Sequence, residues 1–141
     1  ELQEAWWPTR ATRATYRDPY KLVDVRDTRD FEFVELTGQD CDVFGDGRVV
    51  VLSVPCHAKG EQALLVRMPS GRAYLMPAGA IPTRPNWDSE VMTGRLMVTP
   101  ETAYQNVSRL KETARRESAT VLLHHDPIES PGYRLAPEFY D

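Results

Sequence analysis

The sequence predicts a mixed α/β fold that is built mostly from antiparallel strands and carries one long helix towards its C-terminus. Three observations lead to this prediction: short apolar segments separated by turn residues, a helix with clear N-terminal signals, and a short apolar strand directly after that helix. The 141 residues are enough for one domain and leave no room for two full-sized ones. We therefore expect a single domain over residues 1–141.

A meander of short strands is predicted in the first half of the chain. The segments concerned are Phe31–Leu36, Val43–Phe44, Arg48–Val54, Gln62–Met68 and Arg72–Met76. Asp46-Gly47 is a dipeptide favoured in two-residue hairpin turns, and Pro69-Ser70-Gly71 marks a second hairpin. Arg48–Val54 is almost continuously apolar, which is typical of a strand buried on both faces.

One helix is well specified after residue 98. Thr99 can cap its N-terminus, Pro100 suits the first helical position, and Glu101 lies at the positive end of the helix dipole. An apolar stripe at helical spacing follows, made of Ala103, Val107, Leu110 and Ala114. Thr120–Leu123 then predicts a short buried strand.

The N-terminal part is less regular. Glu1–Trp7 is interpreted as the last turns of a helix that Pro8 ends, and residues 9–30 as a long surface excursion. The chain begins at Glu1 without a methionine or a signal peptide, so we expect that an upstream segment has been trimmed or left out.

Charge and composition exclude several classes of function. Lys and Arg number 17 against 21 Asp and Glu, which gives a net charge of −4 and no fold-wide basic field for nucleic acid. No apolar run reaches the roughly 18–20 residues of a membrane span. Cys41 and Cys56 make no disulfide framework, so we expect a reducing, cytoplasmic location.

Each of the three histidines follows a predicted buried strand: His57, His124 and His125. Strand ends are where α/β folds place ligands and metals, and Cys56, Glu61 and Asp126 could add donors there. A metal site needs at least three donors, and the spacing matches no zinc-finger or HExxH pattern. Partly exposed polar residues at strand ends are an equally good interpretation.

Two further interpretations are weighed and not favoured. A Cys56–His57 nucleophile is disfavoured because adjacent residues on extended chain point to opposite faces. The aromatic residues could line an acyl pocket, but packing in the core or at an interface is the better explanation. They are Trp6, Trp7, Trp87, Tyr16 and Tyr20.

The segment VVVLSVPCHAKGEQALLVRMPSGRAYLMPAGAIPTRPNWDSE, residues 49–90, resembles the metallo-β-lactamase superfamily, and most closely its N-acyl homoserine lactonase-like hydrolases. In that family a strand runs into Thr-Pro-Gly-His-Thr-Pro-Gly-His-Gln, then a hairpin, then Gly-Asp-Ala-x-Tyr. The family's late Gly-His-Asp-Pro matches His124-His125-Asp126-Pro127. AWWP, DVFGDG and the tail LAPEFYD fit the same alignment, at residues 5–8, 42–47 and 135–141.

The resemblance implies an αββα sandwich of which this chain holds the C-terminal half, a partial domain. The family's first metal-binding stretch, His-x-His-x-Asp-His, does not occur in the sequence. The resemblance places His57 where a ligand of the first metal stands and His125 where a ligand of the second stands.

Several family positions are changed. The carboxylate that bridges the two metals would fall at Gly79, and the tyrosine that assists the lactone carbonyl would fall at Pro82. The second histidine of the family's Thr-Pro-Gly-His-Thr-Pro-Gly-His-Gln stretch is Glu61 here, while Cys56 and His124 stand where the family has glycines. A bridging carboxylate offsets the repulsion between two nearby cations, so its loss argues against hydrolysis by the two-metal route.

Three functions are therefore carried forward. The first is a degenerate relative of lactone or ester hydrolases, without a cofactor, in which His57, His124, His125 and Asp126 are candidates for acid/base chemistry on a small lactone, ester or acyl compound. The second is a non-catalytic module whose uncovered sheet face is closed by a second copy or a partner protein. The third is a fragment of a one-metal hydrolase, in which an upstream segment supplies zinc ligands alongside His57.

Overall fold

The computed structural model describes residues 26–28, 30–89 and 98–141. The chain divides into two compact units, Glu1–Glu35 and Leu36–Asp141. In the first unit, Arg26–Thr28 forms a 3-10 turn, and the Phe31 N–H donates to the Thr28 carbonyl at 3.1 Å. The predicted helix end at Trp7 and most of the predicted excursion lie outside the described residues. The single-domain assignment stays a prediction.

The second unit is built on a five-stranded sheet with the strand order β1-β2-β3-β4-β5. The strands are β1 Cys41–Asp42, β2 Val49–Ser53, β3 Gln62–Arg67, β4 Ala73–Met76 and β5 Thr120–Val121. Neighbouring strands from β1 to β4 are antiparallel, and β5 lies parallel to β4. The predicted fold class is confirmed.

Two α-helices accompany the sheet: α1 spans Arg84–Ser89 and α2 spans Pro100–Glu117. The predicted N-cap of α2 is confirmed, because the Thr102 N–H donates to the Thr99 hydroxyl oxygen at 3.3 Å. Ser118 ends the helix in the left-handed region, with φ 49°. Among the described helices, none combines the length and the apolar content that a membrane crossing requires.

The core lies between one face of the sheet and the predicted stripe of α2. Leu65 of β3 pairs with Val50 of β2 and Leu75 of β4, so these three side chains share one face. Leu65 and Leu75 join one buried cluster with the helix residues Ala103, Val107, Leu110 and Ala114. The 3.6-residue period therefore identified the buried face of α2 correctly.

Three strand predictions are wrong in detail. Phe31–Leu36 forms no strand, because its apolar residues do not alternate regularly. In β2 only Leu52 is fully buried, since α2 packs on one face of the sheet alone. The Asp46-Gly47 turn belongs to a wider loop, residues 43–48, because the carboxylate of Asp42 accepts hydrogen bonds from the N–H groups of two glycines inside it.

Candidate functional site

The chemistry-bearing residues gather at one edge of the sheet. The pairs Ser53–Gln62, Leu64–Met76 and Leu75–Val121 show that β2, β4 and β5 all end at the edge where β3 begins. His57 follows β2, Gly79 follows β4, and the two adjacent histidines follow β5. The topology therefore brings all three histidines to the same edge.

The turn between β2 and β3 holds His57 on the surface. The Val54 N–H donates to the Glu61 carbonyl at 2.9 Å, and the Cys56 N–H donates to the Ala58 carbonyl at 3.1 Å. Cys56 is fully buried while His57 is exposed, so the two side chains point in opposite directions as predicted. Burial and the nearby Glu61 carboxylate raise the pKa of the Cys56 thiol to about 11, which makes it a poor nucleophile at neutral pH.

Glu61 is the carboxylate of this turn. Its Oε2 accepts hydrogen bonds from the backbone N–H of His57 at 2.8 Å and from that of Ala58 at 3.4 Å. Partial burial raises the pKa of the Glu61 carboxyl, and the N–H groups of His57, Ala58 and Gly79 oppose that rise. We call His57, Glu61 and Gly79 the His57 group.

Helix α2 fixes the strand that leads to His57. The Asn106 side-chain amide donates to the Pro55 carbonyl at 2.7 Å, and the Arg109 guanidinium donates to the Ser53 carbonyl at 2.9 Å. Ser53 is the last residue of β2, and Pro55 lies just beyond the end of that strand. The helix therefore positions the backbone of the turn as well as closing the core.

Asp126 directly follows the two adjacent histidines and is buried, with 2% of its surface exposed. Its Oδ2 accepts from the Arg84 N–H at 2.7 Å, and its Oδ1 accepts from the N–H groups of Ile128 at 2.8 Å and Glu129 at 3.0 Å. These three N–H groups lower the pKa of Asp126. Asp126 thus joins the start of α1 to the segment after β5.

The side chains of Arg84, Glu129 and Tyr133 complete this cluster. The Arg84 guanidinium makes a two-pronged ion pair with Glu129, at 2.6 and 3.0 Å. The Leu123 N–H donates to the Tyr133 hydroxyl at 2.7 Å, and that hydroxyl donates to Glu129 at 3.2 Å. We call Asp126, Arg84, Glu129 and Tyr133 the Asp126 group; it fixes the strand end from which the adjacent histidines project.

His124 and His125 are both exposed, and their ring centroids lie 4.1 Å apart. Partial burial and the neighbouring His125 lower the pKa of His124. Two cationic rings at this distance repel each other, so one of them favours the neutral form, which can accept a proton.

Metal donors at this edge are sparse among the described residues. Over the described ranges, no group of three or more His, Cys, Asp or Glu side chains is arranged to hold a metal ion. The Glu61 Oε2 and both oxygens of Asp126 already accept hydrogen bonds from backbone N–H groups. A zinc ion held with ligands from an upstream segment stays a prediction.

Known proteins resemble this chain in sequence and in fold. No protein-family model matches it. It is 36% identical over 111 residues to the N-acyl homoserine lactonase AttM of Rhizobium radiobacter, which covers 78% of this chain and 42% of that protein. It is 29% identical over 99 residues to an N-acyl homoserine lactonase of Bacillus thuringiensis, which covers 67% of this chain and 39% of that protein.

A solved structure of an N-acyl homoserine lactone hydrolase, with the product N-hexanoyl-L-homoserine bound at its catalytic metal centre, has a TM-score of 0.73 to this chain. The match has 23% sequence identity and covers 99% of this chain and 50% of that one. This chain is a lactonase-like member of the metallo-β-lactamase superfamily. The predicted family resemblance is confirmed. The lactonase-like chain spans about two fifths of the length of the lactonases that it matches.

The sequence predicts the three histidines as site residues but does not predict the contacts that position them. Helix α1 and the Arg84–Glu129 ion pair join positions far apart in the sequence, so no local pattern indicates them. The sequence indicates Glu61 as a possible extra metal donor and as a changed family position, but not as an acceptor for the backbone N–H groups of its own turn. Its spacing of four residues from His57 suits a side chain that folds back onto those N–H groups.

Proposed function

We propose that this lactonase-like chain hydrolyses a small acyl lactone or ester at the sheet edge. In this proposal His57, His124 and His125 provide acid/base chemistry, and no dinuclear metal centre is used. The observation that carries it is the convergence of three exposed histidines at the edge where β2, β4 and β5 end.

The chemistry of these side chains supports the proposal. Imidazole titrates near neutral pH, so it can take a proton from water and later return it. Water oxygen bonds to the carbonyl carbon, the acyl C–O bond breaks, and the proton removed from water passes to the leaving alkoxide oxygen. An ester gives a carboxylic acid and an alcohol, and a lactone gives one hydroxy acid, so no other reactant is required.

Asp126 was also predicted as an acid/base candidate, and its contacts favour a different role. Its two oxygens accept three backbone hydrogen bonds and it is buried, so it has little access to a substrate proton. We propose that Asp126 positions the segment carrying His124 and His125. A cytoplasmic location is also part of the proposal, in keeping with two free cysteines among the described residues.

The test is turnover of a panel of N-acyl homoserine lactones and simple carboxylic esters by the 141-residue chain, with and without a metal chelator. We expect hydrolysis of at least one compound class at the same rate in both conditions, above that of buffer alone. An inactive chain, or activity that the chelator removes, would contradict the proposal.

A second candidate function is a dimerisation module, which the other face of the sheet favours. Several side chains on that face are apolar and only partly buried: Val49, Val51, Leu64, Val66 and Met76. Tyr74 on the same face is already buried and packs edge-to-face against Tyr140. A row of this kind is costly to leave in water, so a second copy or a partner would cover it. Sedimentation of the chain as a monomer at micromolar concentration would count against self-association.

A further inference from the structure

Gly79 lies against the carboxylate of Glu61 with no room for a side chain. A Cβ atom at position 79 would lie 2.5 Å from the Glu61 Oε1 and 3.6 Å from the His57 Cδ2. The first distance is shorter than real Cβ contacts allow. Gly79 is not among the residues with a positive φ, so it is space, and not backbone conformation, that requires glycine here.

Glu61 is not free to move aside. Its Oε2 accepts from the backbone N–H of His57 at 2.8 Å and from that of Ala58 at 3.4 Å, and the Gly79 N–H on the other turn helps to lower the pKa of the carboxyl. A rotation of the side chain away from position 79 would break these bonds and leave N–H groups without their acceptor. One carboxylate therefore ties the turn after β2 to the turn after β4.

We propose that Glu61 and Gly79 form one coupled unit, in which the Glu61 carboxylate occupies the volume of a side chain at position 79 and positions the backbone of His57. The family resemblance places a carboxylate at position 79 and a histidine at position 61. The resemblance thus implies a carboxylate in the turn after β4, whereas this chain has one in the turn after β2. An Asp side chain introduced at position 79 alone would therefore collide with the Glu61 carboxylate. A variant with Asp at position 79 must also replace Glu61.

A double-mutant cycle tests the coupling through stability alone. The variants are Gly79→Ala, Glu61→Ala and the combination, each measured by urea unfolding of the full 141-residue chain. Gly79→Ala is expected to lower the folding equilibrium constant by about tenfold or more, since the bonds to Glu61 must break. In the Glu61→Ala background the same substitution is expected to change that constant by less than about threefold.

Gly132→Ala is the matched control. Gly132 has no positive φ, and nothing lies within 4 Å of a Cβ at that position, so its replacement should leave the folding constant nearly unchanged. If Gly79→Ala does not fold, the combination decides: a folded double variant supports the coupling. An unfolded double variant beside a folded Glu61→Ala overturns it, as does an equal Gly79→Ala effect in both backgrounds.

The positioning of His57 needs a readout that stability does not provide. Hydrogen exchange of the His57 amide, followed by NMR, should accelerate at least tenfold in Glu61→Ala and be partly rescued in Glu61→Gln, which keeps one acceptor oxygen. An unchanged exchange rate of the His57 amide in Glu61→Ala would overturn the claim that Glu61 positions the His57 backbone. The expected catalytic effect of Glu61→Ala, a lower kcat with KM retained, rests on the proposed function. An inactive wild-type chain would refute that function and leave the stability cycle intact.

Discussion

Replacing His57 and His125 together by alanine is expected to lower the turnover of the lactone or ester substrate by about 10²–10⁴-fold, the contribution that positioned acid/base groups typically make. The two side chains are exposed and lie after strands that end at the same sheet edge. Removing both takes away the proton acceptor for the attacking water and the donor for the leaving alkoxide. The measurement is kcat and KM of the double variant beside the unaltered chain.

The fold should survive this double substitution, because neither histidine belongs to the buried core. Circular dichroism and urea unfolding establish that in the same preparation. Gln105→Ala, an exposed change on α2, serves as the surface control. Turnover that is undiminished in the double variant would refute the assignment of acid/base chemistry to these residues.

Replacing Leu110 by alanine is expected to lower the free energy of unfolding by about 2–5 kcal/mol, the cost of removing a fully buried leucine side chain and leaving a cavity. Leu110 is 0% exposed and lies on the face of α2 that packs with Leu65 and Leu75. This helix also holds the backbone before His57 through Asn106 and Arg109. Loss of core packing should therefore loosen the candidate site as well.

The measurement is urea unfolding of the Leu110→Ala variant, with Gln105→Ala as the control on the exposed side of the same helix. The control should change the free energy of unfolding by no more than about 0.5 kcal/mol. A Leu110→Ala effect as small as the control's would mean that the described packing of α2 on the sheet is wrong.

Local patterns in the sequence predicted much of the fold. Thr99 capping α2 and the apolar stripe through Leu110 depend on neighbours within one or two turns, and both are confirmed. The β2–β3–β4 meander also follows from short-range turn signals. The burial of β2 could not be predicted from its composition, because an apolar run does not say how many layers cover it.

The candidate site was predictable in its members but not in its contacts. The histidines stand at strand ends that the sequence marks, and the family resemblance singles out Gly79. That Glu61 fills the space at Gly79 depends on two turns that meet only in the folded chain. The role of Asp126 as an acceptor for the Arg84 N–H likewise joins segments 42 residues apart.

We propose that hydrolysis at the sheet edge uses the chain's own side chains and no dinuclear metal centre. Isothermal titration of zinc into the unaltered 141-residue chain and into the His57→Ala/His125→Ala variant tests it most directly. We expect no binding of two zinc ions per chain and the same weak heat in both proteins. Two tightly bound ions in the unaltered chain, lost in the variant, would contradict it.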